Sequence, residues 1–240
     1  EAERGLIDIE GGWHSTLSGN PKRIANDIHI KPNGNEGSLS IYTGFNTGGK
    51  STLAKMIAQI VTLAKMGWPV PAKAASIGDF SDIQVVSGTL TEEKQRDRSR
   101  KHKNAIGGAL AAALHESGLV IQSATSKTLV ILDEPFSGAT EPSVAAALTA
   151  ALAEGLTRRG ATVILITHLL ESVPLLVERV PYANTYKAKT MTQDGVTAPL
   201  YSFEPGIALS SHGFDVAKQM KWPGLEKALT FFDVLTEQAQ

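Results

Sequence analysis

The sequence predicts an α/β fold in which a mixed, mostly parallel β-sheet is flanked by helices. Segments 128–132 (TLVIL) and 161–167 (ATVILIT) are short apolar runs, which are typical of strands buried on both faces of a parallel sheet. A β-rich run at 38–43 (SLSIYT) leads through a glycine-rich turn into a helix-favouring segment at 51–66. This order of strand, loop and helix indicates a βα unit.

The remaining elements follow from local signals along the chain. The opening, 1–32, has no apolar periodicity and is interpreted as loops and short strands. Three further strands are predicted, the last two as a more exposed pair: 83–86, 185–189 and 199–203. Composition predicts four further helices: 105–116, 143–159, 214–221 and 225–235. Thr140 is the expected N-cap of the helix at 143–159.

Composition fits one compact domain, or at most two small ones. The chain has 240 residues, of which 42% are hydrophobic and 20% charged, and this excludes a disordered protein. With 23 Lys and Arg against 24 Asp and Glu, the net charge is −1. No global positive field therefore attracts nucleic acid, and any contact with a polyanion must be local.

Cysteine usage and apolar run length exclude other classes. The chain contains no cysteine, which excludes disulfides, thiolate zinc sites and cysteine nucleophiles and favours a cytoplasmic location. The apolar runs are far shorter than the ~20 residues of a membrane-spanning helix. The first residue is Glu rather than Met, which fits a piece of a longer protein.

A phosphate-binding loop is the strongest motif. Residues 44–51 (GFNTGGKS) fit the P-loop pattern G-x-x-x-x-G-K-[ST] between a predicted strand and a predicted helix. Glycines let backbone amides turn toward phosphate oxygens, and the helix adds its N-terminal dipole. Lys50 is expected to reach the β- and γ-phosphates, and Ser51 to ligate Mg²⁺. The predicted nucleotide-binding residues of this loop are Gly44, Asn46, Thr47, Gly48, Gly49, Lys50, Ser51 and Thr52.

Acidic residues follow the TLVIL strand at the end where open α/β sheets bind ligands. We assign Asp133 to the metal ion and Glu134 to the attacking water, because phosphoryl transfer requires both functions. His168 directly follows the ATVILIT strand and is expected at the same edge. Its imidazole would bond the γ-phosphate or the water, although a histidine at a strand end is more often a polar cap.

These residues together resemble a known family, the ATPases of MutS-type mismatch repair, which are of ABC type. The phosphate loop GFNTGGKST is similar to that family's loop in its asparagine and double glycine. The resemblance continues in order through the chain and covers about residues 13–223. It is carried by RIANDI at 23–28, GWPVPA at 67–72, LDEP at 132–135, SGAT at 137–140, TH at 167–168 and YSFEPGIALSSHGFDVA at 201–217.

The resemblance implies a P-loop NTPase of ABC type that binds ATP with Mg²⁺ and hydrolyses ATP to ADP and phosphate. Residues 1–37 would form a lead-in, in which Ile24 and Asn26 lie near the adenine. Residues 38–223 would form the ATPase core, and residues 224–240 would form a C-terminal helix. His168 matches the family's switch histidine. Lys50, Glu134 and His168 are thus the expected catalytic residues.

The resemblance also implies a dimer, formed with an identical or a related subunit and having composite ATP sites. Ser99 aligns with the serine that ABC-type dimers present to the γ-phosphate bound by the other subunit. The basic run from Arg96 to Lys103 departs from the family here. Two interpretations stay open for it: charge stabilisation of phosphate, or a solvated helix face.

The mismatch-reading, connector and lever parts of full MutS proteins are absent from these 240 residues. DNA is therefore expected to be bound through other domains or partners, with nucleotide state coupled to that binding. Two alternatives are a MutS-like ATPase outside mismatch repair, in recombination control, ribosome rescue or mobile-element defence, and a non-catalytic nucleotide-binding dimerisation module.

Overall fold

The computed structural model describes residues 4–31, 36–44, 47–88, 108–193, 196–208, 218 and 220–229. Within these ranges the strands are β1 Ile7–Gly12, β2 Asn26–Ile30, β3 Leu39–Thr43, β4 Ala74–Ile77, β5 Asp82–Ser87, β6 Thr128–Asp133, β7 Thr162–Ile166, β8 Asn184–Gln193 and β9 Val196–Pro205. The α-helices are α1 Lys50–Lys65, α2 Gly108–Ser123, α3 Pro142–Arg158 and α4 Ser172–Arg179, and a 3-10 turn covers Ser15–Leu17.

A six-stranded sheet in the order β5-β6-β7-β3-β8-β9 forms the centre of the molecule. Every neighbouring pair is parallel except β8 and β9, which form an antiparallel pair. The predicted α/β class and the mixed, mostly parallel sheet flanked by helices are confirmed. The central strands β3 and β7 are buried at every position, because helices cover both faces of the sheet.

Successive residues of each central strand enter different cores, because side chains alternate across a sheet. On one face, Ile41 and Leu165 pack in a cluster with residues of α3 such as Leu156. On the other face, Tyr42 and Ile166 pack in a second cluster. That second cluster also contains residues of α1 and of the first two strands: Ile57, Ile60, Ile7, Ile9, Ile28 and Ile30.

A second, antiparallel sheet has the order β2-β1-β4 and packs through β1 and β2 onto the α1 side. The opening was predicted as loops and short strands, which agrees with β1 and β2. The sequence did not predict β4, because Ala74 to Ser76 are small, exposed residues without apolar alternation. Nor did it predict α4, which has only 8 residues and contains Pro174.

The N-cap predicted for helix α3, Thr140, was wrong. Its N-cap is Glu141, and the hydroxyl of Thr140 donates to the Glu141 carboxylate (2.8 Å). Pro142 occupies the first helical position, and the residue before a proline is driven to extended backbone, so the boundary falls at Glu141 with ψ 147°.

The C-terminal region of the chain is described only in part. Of the two helices predicted after residue 210, the second is helical at 225–229. The first is described only at Lys218, which is helical, and at 220 and 221, where the chain forms a turn and the predicted helix was wrong. Residues 209–217, 219 and 230–240 lie outside the described residues. Among the described helices, none has the length and apolar character needed to cross a membrane.

Truncation of Leu165 tests the importance of the central strand. Leu165 on β7 is 0% exposed within the sheet and α3 core. We expect Leu165→Ala to lower the free energy of unfolding by about 2–5 kcal/mol, because it leaves a cavity. The matched control is Leu119→Ala on α2, where the side chain is 52% exposed and the change should stay within about 0.5 kcal/mol. Urea unfolding measures both, and equal effects would contradict the placement of β7.

Candidate functional site

The loop between β3 and α1 has the backbone shape that its glycines predict. Gly44 and Gly49 have φ values of 113° and 86°, in the region that favours glycine. A Cβ atom on Gly49 would also lie 3.3 Å from the ring of Tyr201. Gly48 is buried, and Thr47, Gly49, Ser51 and Thr52 line one cavity. The loop therefore brings the motif to the wall of that cavity.

Lys50 is the buried cation of this loop. Lys50 is 3% exposed, and its Nζ donates to the carbonyl oxygen of Gly44 (2.6 Å). Burial lowers the pKa of Lys50, and the nearby carboxylates of Glu134 and Asp133 oppose that shift. The ammonium group is thus held beside the loop backbone by a carbonyl and by the field of two acids.

Asp133 meets the first turn of α1. The hydroxyl of Ser51 donates to Oδ1 of Asp133 (3.1 Å), although the two residues are 82 positions apart in sequence. Burial raises the pKa of Asp133, and the charge of Glu134 adds to that increase. The hydrogen bond from Ser51 and the charges of Lys55 and Lys50 act in the opposite direction. Two oxygen-bearing side chains therefore lie together where the glycine-rich loop meets the acidic strand end.

Glu134 lies immediately beyond β6 in a strained backbone conformation. Its φ is 53°, although it is not a glycine. Its amide donates to the carbonyl of Ile166 (3.0 Å), which continues the β6–β7 ladder by one residue. A Cβ atom on Gly88 would lie 1.9 Å from the Glu134 carbonyl oxygen, so the end of β5 is in tight contact with this turn. These contacts hold Glu134 in its unusual conformation.

His168 approaches Glu134 from the end of β7. Its Nδ1 lies 2.9 Å from Oε2 of Glu134, but their alignment is not that of a hydrogen bond. The two side chains are 31% and 23% exposed, so water has access to both. The structure thus brings together Lys50, Ser51, Asp133, Glu134 and His168, as expected from the ends of parallel strands.

The cavity beside the loop has a volume of about 560 Å³ and extends to the predicted adenine side. Ile24 and Asn26 line it together with Lys50 and Ser51. The side-chain amide of Asn26 donates to the carbonyl of Tyr201 (3.1 Å), which joins the lead-in to β9. A volume between 300 and 1,000 Å³ is typical of small-ligand sites.

Trp13, Arg23 and Tyr201 are among the residues of this wall that the predicted site did not include. Arg23 and Tyr201 are the first residues of two segments that carry the family resemblance, and that position was the sequence signal that could have placed them at the site. Their meeting in space depends on contacts across 175 positions, such as the one from Asn26 to Tyr201. Sequence order alone could not reveal the shared wall.

Two predicted residues, Asn46 and Ser99, lie outside the described residues, as do the basic run 96–103 and residues 209–217. Within the described part of the chain, no group of three or more His, Asp or Glu residues is placed to hold a metal ion. The two residues predicted to bind the metal ion, Ser51 and Asp133, are joined by their hydrogen bond.

Comparison with known proteins identifies the family. The family model described as MutS domain V matches residues 40–235, and the chain belongs to the MutS family. It is 35% identical over 186 residues to a DNA-binding protein MutS2 of Pyrococcus furiosus, a match that covers 75% of this chain and 30% of that protein. It is 32% identical over 185 residues to an endonuclease MutS2 of Gemmatimonas aurantiaca, covering 75% of this chain and 20% of that protein.

A third relative carries a different name. The DNA mismatch repair protein MutS of Salinibacter ruber is 29% identical over 224 residues, with 90% of this chain and 23% of that protein covered. The chain thus spans between 20% and 30% of the length of these three relatives.

The raised pKa of Asp133 predicts a pH-dependent effect on stability. Between the ordinary Asp pKa of about 4 and the raised folded value, the folded state binds more protons, so stability falls as pH increases. Above that window this group no longer changes the stability with pH, and the stability stays at its reduced level. Asp133→Asn retains an acceptor for Ser51 without ionising, and we expect it to be more stable than the unmodified protein at pH 7 and similar near pH 3.

Urea unfolding between pH 3 and pH 8 measures this effect, and Asp79→Asn is the control of opposite sign. Lys127 lowers the pKa of Asp79 through a hydrogen bond and its charge, so that variant should lose a small amount of stability at pH 7. A pH-independent difference for Asp133→Asn would contradict the assigned cause.

Proposed function

We propose that this chain is an ATPase domain, a P-loop NTPase of ABC type that hydrolyses ATP to ADP and phosphate. The observation that carries the proposal is the hydrogen bond from Ser51 to Asp133, which joins the phosphate loop to the acidic strand end. Membership of the MutS family through domain V supports the same assignment. The proposed core is 38–223, with lead-in 1–37 and a C-terminal helix at 224–240.

The phosphates of ATP would occupy the end of the cavity that lies against the loop. Lys50 would exchange the Gly44 carbonyl for the β- and γ-phosphate oxygens, since a polyphosphate is a stronger partner for a buried ammonium than a neutral carbonyl. Backbone amides of the loop, from Gly44 through Thr52 and including Asn46, would provide the remaining donors. Burial of Lys50 limits competition from water for this charge.

Mg²⁺ fits the residues that meet at Ser51. A hydroxyl and a carboxylate 3.1 Å apart are hard oxygen donors of the kind this ion prefers beside substrate phosphates. Ser51 and Asp133 would hold it, and when bound it neutralises charge on the phosphate oxygens. Its positive charge would also favour the ionised form of Asp133 and so offset the effect of burial.

Glu134 is the group proposed to polarise the attacking water. Its backbone is held just beyond β6 by the bond to Ile166 and by the close approach of Gly88, and its carboxylate would accept a hydrogen bond from a water molecule there. His168 lies beside the same carboxylate and is proposed to bond the γ-phosphate or the water. The two side chains are partly exposed, which leaves room for that water.

Three further proposals concern the whole protein: its coupling to DNA, its location and its subunit arrangement. We propose that nucleotide state is coupled to DNA binding by parts outside this chain, since the matched segments cover only 30% and 23% of the relatives named for DNA binding and DNA mismatch repair. We also propose a cytoplasmic location and a dimer with composite ATP sites, in which Ser99 reaches the partner's nucleotide. A steady-state phosphate-release assay distinguishes the enzyme from a non-catalytic binding module.

Substitution of Glu134 is the direct test of catalysis. We expect Glu134→Gln to bind ATP with unchanged affinity while hydrolysis slows by about 10²–10⁴-fold, the usual contribution of a positioned acid–base group. Calorimetry measures binding and phosphate release measures turnover. Glu10→Gln, an exposed position on β1, is the matched control and should leave both unchanged. Ordinary turnover in Glu134→Gln would refute its proposed role.

Mixing two defective variants tests the composite sites. Lys50→Ala should not bind ATP tightly, and Ser99→Arg should bind it but block the partner's site with bulk and charge. A heterodimer of the two has one site with an intact loop and an intact facing Ser99, so partial recovery of hydrolysis is expected. Absence of recovery in heterodimers verified by mass spectrometry would count against sites shared between subunits.

A further inference from the structure

A second large cavity lies at the opposite edge of the central sheet from the phosphate loop. It has a volume of about 590 Å³, and Lys127, which lines it, directly precedes β6. Asp133, at the other end of that strand, meets the phosphate loop through Ser51. An extended chain covers about 20 Å between Lys127 and Asp133. The described residues that line the two cavities do not overlap, so the cavities are separate.

Positive charge is concentrated around this second cavity. Arg4, Lys65 and Lys127 line it, and among the described lining residues Asp79 is the acid. Three positive charges and one negative charge leave an excess of two, in a chain whose net charge is −1. Lys127 lowers the pKa of Asp79 through a hydrogen bond and its charge, and the charges of Arg4 and Lys65 lower it further. The three cations therefore act on one place.

Hydrogen bonds and packing fix the walls of the cavity. The Nζ of Lys65, at the end of α1, donates to the carbonyl of Ser81 (2.8 Å). The amide of Gly78 donates to the carbonyl of Leu6 (2.8 Å), which attaches the turn between β4 and β5 to the start of β1. Phe80, in the same turn, is 2% exposed and packs in the core on the α1 side. Walls that are already formed need little ordering when a ligand binds.

The ion pair between Lys127 and Asp79 can be exchanged for a stronger one. Its Nζ and Oδ2 atoms are 2.5 Å apart, and the two side chains are 42% and 51% exposed. Exposed ion pairs contribute little to stability, because water and salt screen both charges. The carboxylate of Asp79 therefore holds Lys127 only weakly against a ligand with more negative charge.

The excess of two positive charges favours phosphate over a second carboxylate. A carboxylate carries one negative charge, whereas a phosphate monoester carries about 1.5 to 2 at pH 7 and offers three acceptor oxygens. Two successive phosphates of a nucleic-acid backbone carry the same total. The planar guanidinium of Arg4 also matches phosphate oxygens with two parallel hydrogen bonds.

We propose that this cavity is a second anion site, in which Arg4, Lys65 and Lys127 bind the phosphate groups of a ligand. The phosphates belong to a nucleic-acid backbone or to a free phosphate compound, and the same three cations serve for both. Asp79 competes with the ligand for Lys127. The site uses no residue of the phosphate loop, so it goes beyond the proposed function and does not rest on it.

Removal of the Asp79 charge is the sharpest test, because it should improve binding. We expect Asp79→Asn to bind phosphate ligands about 2–5-fold more tightly, the range of one exposed ion pair, since Lys127 loses its competing carboxylate. The matched control is Glu204→Gln, which removes an acid that is 41% exposed, is paired with Lys187 and does not line this cavity. It should leave the affinity unchanged.

Loss of a cation should have the opposite effect. Arg4→Gln and Lys127→Gln should each weaken binding by about 2–5-fold. Arg158→Gln is the control with the same change in net charge, because Arg158 is 70% exposed and does not line the cavity. It should bind as the unmodified protein does.

Two probes identify the source of the phosphate. NMR titration with inorganic tripolyphosphate separates the sites, because the amides of Gly78 and Phe80 report this cavity and those of Gly48 and Gly49 report the phosphate loop. A labelled single-stranded oligonucleotide, followed by fluorescence anisotropy at several salt concentrations, is the second probe. Each lost phosphate contact should reduce the slope of log K against log[salt] by about 0.7.

The outcomes decide both the site and its ligand. Matching effects of the variants on the oligonucleotide support a nucleic-acid backbone, and effects on tripolyphosphate alone support a free phosphate compound. The proposal is overturned if neither probe shifts the Gly78 and Phe80 signals, or if Asp79→Asn and Glu204→Gln behave alike. Equal affinity for polyglutamate would also overturn it, in favour of an acidic protein segment. Constant signals at Gly48 and Gly49 would count against the proposed function alone.

Discussion

The parallel register of β6, β7 and β3 is the constraint on which the site depends. Asp133 pairs with Ile166, and Ile166 pairs with Tyr42, so the three strands end at one level of the sheet. From that level the chain enters the phosphate loop, the Glu134 turn and the His168 turn. A slip of one residue would exchange the two faces of a fully buried strand, which makes this register strongly specified. The apolar packing that stabilises the sheet thus also positions the polar groups.

The site combines burial with opposite charges, and each affects the other. Burial lowers the pKa of Lys50 and raises that of Asp133, so each would tend toward its neutral form alone. Their mutual attraction opposes both shifts. Lys50 donates to the carbonyl of Gly44, and the hydroxyl of Ser51 donates to Asp133, so each buried charge has a neutral hydrogen-bond partner. Bonds to neutral partners are weaker than bonds between two charged groups, which supports the proposed exchange of the Gly44 carbonyl for phosphate oxygens.

The sequence predicted those parts of the fold whose signals are local. Wholly apolar runs marked β6 and β7, and a glycine-rich motif marked the loop before α1. Strand β4 was missed because its residues are small and mostly exposed. Its strand conformation depends on pairing with β1, where Ala75 lies opposite Ile9. The positive φ of Glu134 was equally absent from the sequence signals. It depends on contacts with neighbouring strands, and the close approach to Gly88 is possible because glycine has no Cβ. Features made by distant segments left no periodic pattern to detect.

The small sheet explains how an aperiodic opening can form a defined ligand wall. The amide of Gly11 donates to the Asp27 carboxylate (2.7 Å), and the amide of Lys73 donates to the carbonyl of Glu10 (2.9 Å). These bonds fix the carboxyl-terminal end of β1 to β2 and to the residue before β4, while its isoleucines pack against α1. The wall and the phosphate loop therefore share one helix as their support. The hydrogen bond from Ser51 to Asp133 ties the same helix to the strand edge, so one element links the cavity wall, the loop and the acidic residues.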